Sequence, residues 1–214
     1  MLVAGRGAAL ETFTVRPPEG QFRKYPSSAS PLGPHRPRVT PNVPNMTKFF
    51  SVTVREAAVS VDISAPPERV WELVTDITLM PRFSTELQST AWADGFRAPE
   101  IGAQFLGTNR HPAIGEWTTT SKIIVCEPPV MFGWVVGNPE NPAAVWQFEL
   151  RPTSGGTRLS YTAQIGPGPS GVTMLIEREP ERAEEIIERR LTQFRAGMQA
   201  TVAGIQELAE ALPL

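Results

Sequence analysis

One cysteine and two histidines in 214 residues leave this chain little thiol or imidazole chemistry. With Cys126 alone, no intrachain disulfide and no cysteine-based metal cluster can form. No apolar run approaches 18 residues, so no membrane-spanning helix is expected. The opening Met1–Leu10 lacks a basic segment followed by a proper apolar stretch, which argues against a secretion signal. It is, however, arginine-containing and poor in acids, as organelle presequences are. Together with the lone cysteine, the missing signal points to a reducing compartment, the cytoplasm. The formal net charge of −2 argues against a nucleic-acid-binding face. No Ser-His-Asp order and no metal-ligand spacing is present, and the glycine-rich Gly166–Gly171 is broken by prolines, so it is no phosphate loop. Neither a metal nor a cofactor is expected.

What is present divides unevenly. Residues 15–45 hold Pro17, Pro18, Pro26, Pro31, Pro34, Pro37, Pro41 and Pro44, which disfavour both helix and sheet. With few apolar residues between them, residues 1–46 read as a disordered tail of charge +4. The remaining residues, 47–214, carry −6 and read as one folded domain. The periodic pattern begins soon after Met46, which raises the expectation that translation starts there. The chain's 41% hydrophobic and 20% charged residues are ordinary globular usage.

In the domain, Ala57, Val59, Val61 and Ile63 alternate with Ala58, Ser60 and Asp62, the period of a half-buried strand over 54–63. Pro66, Pro67 and Glu68 then open a helix with the apolar stripe Val70, Trp71 and Val74. A second short helix or turn over 77–83 is expected to be interrupted by Pro81. Six apolar runs follow, at 86–93, 103–110, 116–126, 130–136, 144–150 and 158–165, separated by short turn signals. Such short loops predict an antiparallel meander. Residues 180–211 place Ile187, Leu191, Phe194, Met198, Val202, Ile205 and Leu208 on one face of a long helix. The fold class is therefore α+β: a curved antiparallel sheet of about seven strands around a long C-terminal helix, with two short helices after the first strand.

Val61-Asp-Ile-Ser-Ala-Pro-Pro-Glu-Arg-Val-Trp-Glu-Leu-Val-Thr-Asp-Ile77 resembles the opening strand and helix of the SRPBCC (START-like, helix-grip) superfamily. It is closer still to its bacterial members of polyketide cyclase/dehydrase and lipid-transport type. The likeness continues through Pro81–Ser84, Ile114–Trp117, Trp146–Leu150 and Gly156–Leu159, and covers residues 51–211. It implies a helix-grip fold that holds a small hydrophobic ligand. It leaves the function within that superfamily open, because a fold does not fix chemistry.

Alternation also predicts which strand residues face inward. These are Phe105, Gly107 and Asn109; Trp117, Thr119, Ser121, Ile123 and Val125; Phe132, Trp134 and Val136; Trp146, Phe148 and Leu150; and Leu159, Tyr161, Ala163 and Ile165. Cys126 falls on the outward phase. Inward aromatics are first of all core residues. Yet here Asn109, Thr119, Ser121 and Tyr161 lie among the rings, and a few polar groups on an aromatic wall are what a small-molecule pocket needs. The candidate ligand-binding residues are Phe105, Asn109, Trp117, Thr119, Trp134, Trp146 and Tyr161 from the sheet. Phe83 and Glu86 join them from the second helix and its exit, and Phe194 and Met198 from the long helix. For proton transfer the candidates are Arg110, His111 and Tyr161, with Glu116 across a hairpin tip; such a trio is more often a solvated surface than a catalytic group. Residues 166–171 read as a flexible lid, with Met174, Leu175 and Ile176 beyond it. Three functions follow: carriage or sensing of a lipophilic ligand, an aromatase/cyclase-type enzyme, or a protein-interaction module. A monomer or homodimer is expected.

Overall fold

Seven strands form one antiparallel sheet, and its order is set by which neighbours the short turns allow. The computed structural model describes residues 55–112 and 115–211. The expectations for residues 1–46, and for Val54, lie outside these. The elements are β1 (Glu56–Ile63), α1 (Pro67–Thr75), a 3-10 turn (Ile77–Leu79), α2 (Met80–Phe83) and β2 (Leu87–Trp92). Then come β3 (Gln104–His111), β4 (Gly115–Glu127), β5 (Met131–Asn138), β6 (Asn141–Thr153) and β7 (Gly156–Ile165). The chain ends with α3 (Gly171–Arg178), a second 3-10 turn (Pro180–Arg182) and α4 (Ala183–Glu210). The strand order is β1-β7-β6-β5-β4-β3-β2, so the expected meander runs from β2 to β7 and β1 closes onto β7.

Local sequence explains most of this. Pro67 starts α1 with Glu68 in its first turn, and Val70, Leu73 and Val74 are buried. Pro81 does not interrupt the second helix; it stands in the first turn of α2, where its missing N–H costs nothing. β6 is longer than residues 144–150 because its prolines sit at tolerated places. Pro142 flanks a bulge beside Gly137, and Pro152 lies one residue before the hairpin end at Thr153–Gly156. Residues 171–178, expected to trail a flexible loop, form a helix capped at Ser170. Its hydroxyl accepts from Thr173 N, and Thr173 Oγ1 accepts from Ser170 N. The loop before it is tethered as well: Gly166 N and Gly168 N donate to the carbonyls of Ala143 and Pro142. Both glycines press so closely on the Asn141–Pro142 backbone that a Cβ would overlap it.

α4 runs along β1, packing also on β7 and α1, with Ile187, Leu191, Met198, Val202 and Ile205 buried. Two bonds hold its C-terminal end: Gln206 donates to Asp62 O, and Glu210 accepts from Ser64 N. Gly204 leaves room for the Phe83 ring, which locks α2 against α4.

Candidate functional site

The pleat carries bulky side chains of β3 to β7 onto the concave face, where they meet as one aromatic cluster. Trp134 and Trp146 are cross-strand partners whose rings stack at 6.4 Å and 10°. Phe148 and Tyr161, on the next pair, stack at 4.0 Å and 18°. Phe105 meets Trp92 and Trp134 edge-on at about 6 Å. From α4, Phe194 closes to 4.7 Å of Trp146.

Burial is graded along this face. Phe132, Phe148, Leu150 and Leu159 are at most 1% exposed, and the void bounded by Leu73, Met80, Phe83, Phe148 and Ile205 is about 10 Å³. That is about the room of one water. The deep half is therefore solid packing. Toward the start of β1 and the N-terminal half of α4, the inward residues Trp117, Thr119, Val136, Trp146, Ile165 and Phe194 all keep partial exposure. There the side chains of the concave face reach solvent. A separate hollow of about 400 Å³, between Asp62–Ser64 and Thr153–Gly155, lies at the other end of β1, away from the rings.

The sequence-predicted residues fall into three groups. Trp134, Trp146, Tyr161 and Phe194 belong to the aromatic face, with Phe105 beside them; Trp117, the cross-strand partner of Asn109, makes no ring contact with any described residue, and Thr119 pairs with Gly107. Asn109 Nδ2 donates to Gly107 O and to Thr119 Oγ1, at 3.0 and 3.2 Å, so its amide is tied to the sheet. Phe83 and Met198 belong to the solid half. Arg110 faces the convex side, exposed, across from exposed Glu116, while His111 is half-buried and already engaged. Four strand spacings, about 19 Å along the sheet, separate Arg110 from Tyr161, so these groups are not brought together.

Two facing assignments, Val125 inward and Cys126 outward, are corrected by a bulge. Between Ile123 and Val125 the β4–β5 register shifts, so Ile123 pairs with Trp134 but Cys126 pairs with Phe132. The extra residue reverses the phase: Cys126 turns to the concave side, and Val125 turns outward with Gly133. Cys126 Sγ donates to Pro99 O at 3.4 Å, and burial, helped by nearby Glu100, pushes the thiol up from its ordinary pKa. Such a thiol is a poor nucleophile.

Sequence reasoning missed Arg190. Its guanidinium donates to both oxygens of Glu86 at 2.7 and 2.8 Å and lies 4.6 Å over the Phe194 ring. On the sequence it was one charge among many on a charge-dense helix.

Tyr161 is 6% exposed, and its hydroxyl makes no hydrogen bond with any described residue. Burial alone drives its phenol far above the ordinary tyrosine value. The sign follows: the folded state disfavours tyrosinate, so Tyr161 contributes stability that is intact below the unfolded pKa, near 10, and lost as pH rises past it. In an alkaline titration the tyrosinate absorbance of the wild type and of Tyr161→Phe should coincide until unfolding begins. A wild-type excess before unfolding would show that the phenol is solvated.

The family described as polyketide cyclase/dehydrase and lipid transport matches residues 54–203. The chain belongs to that family. Within the polyketide cyclase/dehydrase and lipid transport fold, it is similar to the polyketide-cyclase-like protein Cgl2372 of Corynebacterium glutamicum. The two are 30% identical over 74% of this chain and 93% of that one, with a TM-score of 0.55. The di-domain aromatase/cyclases StfQ, of the steffimycin pathway, and BexL, of the BE-7585A pathway, are 16% and 19% identical, with TM-scores of 0.57 and 0.56. This chain covers 51% and 50% of their lengths, so it corresponds in size to one of their two domains, and the likeness is one of fold. No match was found among curated proteins. Among the described residues no helix is long and apolar enough to cross a membrane, and no group of three or more His, Cys, Asp or Glu is placed to hold a metal ion.

Proposed function

We propose that this family member binds and carries, or senses, a small lipophilic ligand at the open end of the aromatic face, in a cleft beside Trp134, Trp146 and Phe194. The observation that carries this reading is the graded burial of the aromatic face: the rings of Trp146 and Phe194 keep partial exposure beside its filled half, and Tyr161 lies among the rings of Phe148, Trp134 and Trp146 with no side-chain hydrogen bond to any described residue. The Tyr161 hydroxyl keeps some contact with solvent, and a polar group on a bound ligand takes the place of that water. The partly exposed rings supply contact area at low entropic cost. The ligand's polar group takes the Tyr161 hydroxyl, and its apolar body lies along Trp146 and Phe194. The lone, half-buried thiol suits a reducing cytoplasm, where the protein works as a monomer or homodimer. Aromatase/cyclase chemistry has less support, because Arg110 and His111 stand at the far side of the sheet from Tyr161.

Native mass spectrometry of the full chain, purified from its source and followed by organic extraction, tests this. A discrete hydrophobic adduct is expected in the wild type and absent in Trp146→Ala. A bare mass, with no binding from a lipid and polyketide panel, would overturn carriage.

A further inference from the structure

α4 and β2 are joined by a single ion pair among the described residues, Arg190–Glu86, formed between residues 104 positions apart. Both side chains are about three-quarters buried, at 25% and 28% exposure. Glu86 stands at the entry to β2, where its carbonyl accepts from Arg110 N and its amide donates to Ser84 Oγ. Arg190 Nη1 donates in addition to Gln193 Oε1 at 3.2 Å. One face of the guanidinium covers Phe194, whose ring meets Trp146, whose ring in turn stacks on Trp134. A fixed cation thus stands at the rim of the cleft, at the head of a line of rings.

We infer that Arg190 recognises an anionic end on the ligand, a carboxylate or an enolate, and that Glu86 occupies that place until the ligand arrives. This rests on the proposed cleft and deepens it by naming the ligand class: a flat, unsaturated body with one ionised end. Glu86 already shows the geometry that a ligand carboxylate would adopt, two parallel bonds to the guanidinium edge. Exchange of one carboxylate for another conserves those bonds, while Glu86, itself partly exposed, turns to water. The guanidinium is planar and stacked, and a lysine would satisfy neither contact. No other carboxylate lies within 4 Å of Arg190 among the described residues, so a ligand that displaced Glu86 without bringing an anion would strand a partly buried cation. A neutral ligand therefore binds with the pair left in place, and an anionic one replaces Glu86 in it.

Two probes of matched shape, anthracene-9-carboxylate and anthracene-9-methanol, test this on the full chain through quenching of tryptophan fluorescence. Glu86→Gln is expected to tighten the carboxylate about 5- to 10-fold, and Arg190→Gln to weaken it about 10-fold or more. Both variants should leave the alcohol within about 2-fold of wild type. Parallel changes in both probes would overturn the inference, because the pair would then only pin α4 to the sheet. Binding of both probes with no response to either substitution would overturn it too, while leaving the cleft intact. Absence of quenching by either probe in all three proteins would remove the cleft itself, and the inference with it. Thermal melts of the variants separate unfolding from loss of recognition.

Discussion

Gly156→Ala is expected to destabilise the protein by about 3 kcal/mol, read as a fall in the urea midpoint at unchanged slope. The residue sits at φ +148°, where an L side chain is strained, and an added Cβ would overlap the carbonyl oxygen of Ile63 and crowd Ala65 N at 2.9 Å. Both obstacles are backbone, so no rotamer change relieves them. The segment they belong to, where β1 leaves the sheet, is held by Thr157 Oγ1, which donates to Ala65 O at 2.7 Å. Retreat at Gly156 would break that bond and loosen the start of α1. Gly155 provides the control, since a Cβ there meets nothing within 4 Å. Gly155→Ala should stay within about 0.5 kcal/mol of wild type. Equal midpoints for the two variants would mean that β7 does not approach Ile63 as described.

Phe148→Ala should cost more, about 4 kcal/mol. The side chain is 1% exposed, stacks on Tyr161 and touches the small void beneath α4, so its removal leaves a cavity in the half of the concave face that is already filled. Trp146→Ala makes the informative comparison. Its ring is partly exposed and meets Phe194 near the open end, so the stability loss should be about half as large, while the ligand adduct disappears. A stability loss for Trp146→Ala equal to that of Phe148→Ala would place Trp146 in the solid core and take away the distinction between the two ends of the face.

These two residues also mark where sequence reasoning reached and where it stopped. Strand phase was legible wherever alternation ran unbroken: Ala57, Val59, Val61 and Ile63 all turn inward, and so do Trp146, Phe148 and Leu150. It failed at Cys126, because a bulge inserts a residue without any glycine or proline to announce it. The helical period of α4 was plain, since its buried positions recur every three or four residues. The helix at 171–178 was not, because it buries no residue completely and so has no sharp apolar face, and its cap is a Ser170–Thr173 pair rather than the usual serine with glutamate. The distinction between packing and binding aromatics could not be read at all. Phe148 and Trp146 share a strand and a phase, and what separates them is their distance from the end of a cleft. The Arg190–Glu86 contact was hidden for a related reason: its partners lie on different elements, and neither residue is unusual in its own neighbourhood.

The pairing of β1 with β7 sets a timetable for synthesis. Val59 faces Tyr161, so the first strand has no partner until about 100 further residues have been made. At about 5–20 residues per second, β1 waits for some 5–20 s, exposing its apolar face while β2 to β6 form neighbouring hairpins beside it. Completion of the sheet during synthesis thus waits for the capture of its oldest strand, with α4 still to be laid along it, and a chaperone that shields residues 57–63 during that interval should raise the yield of native protein.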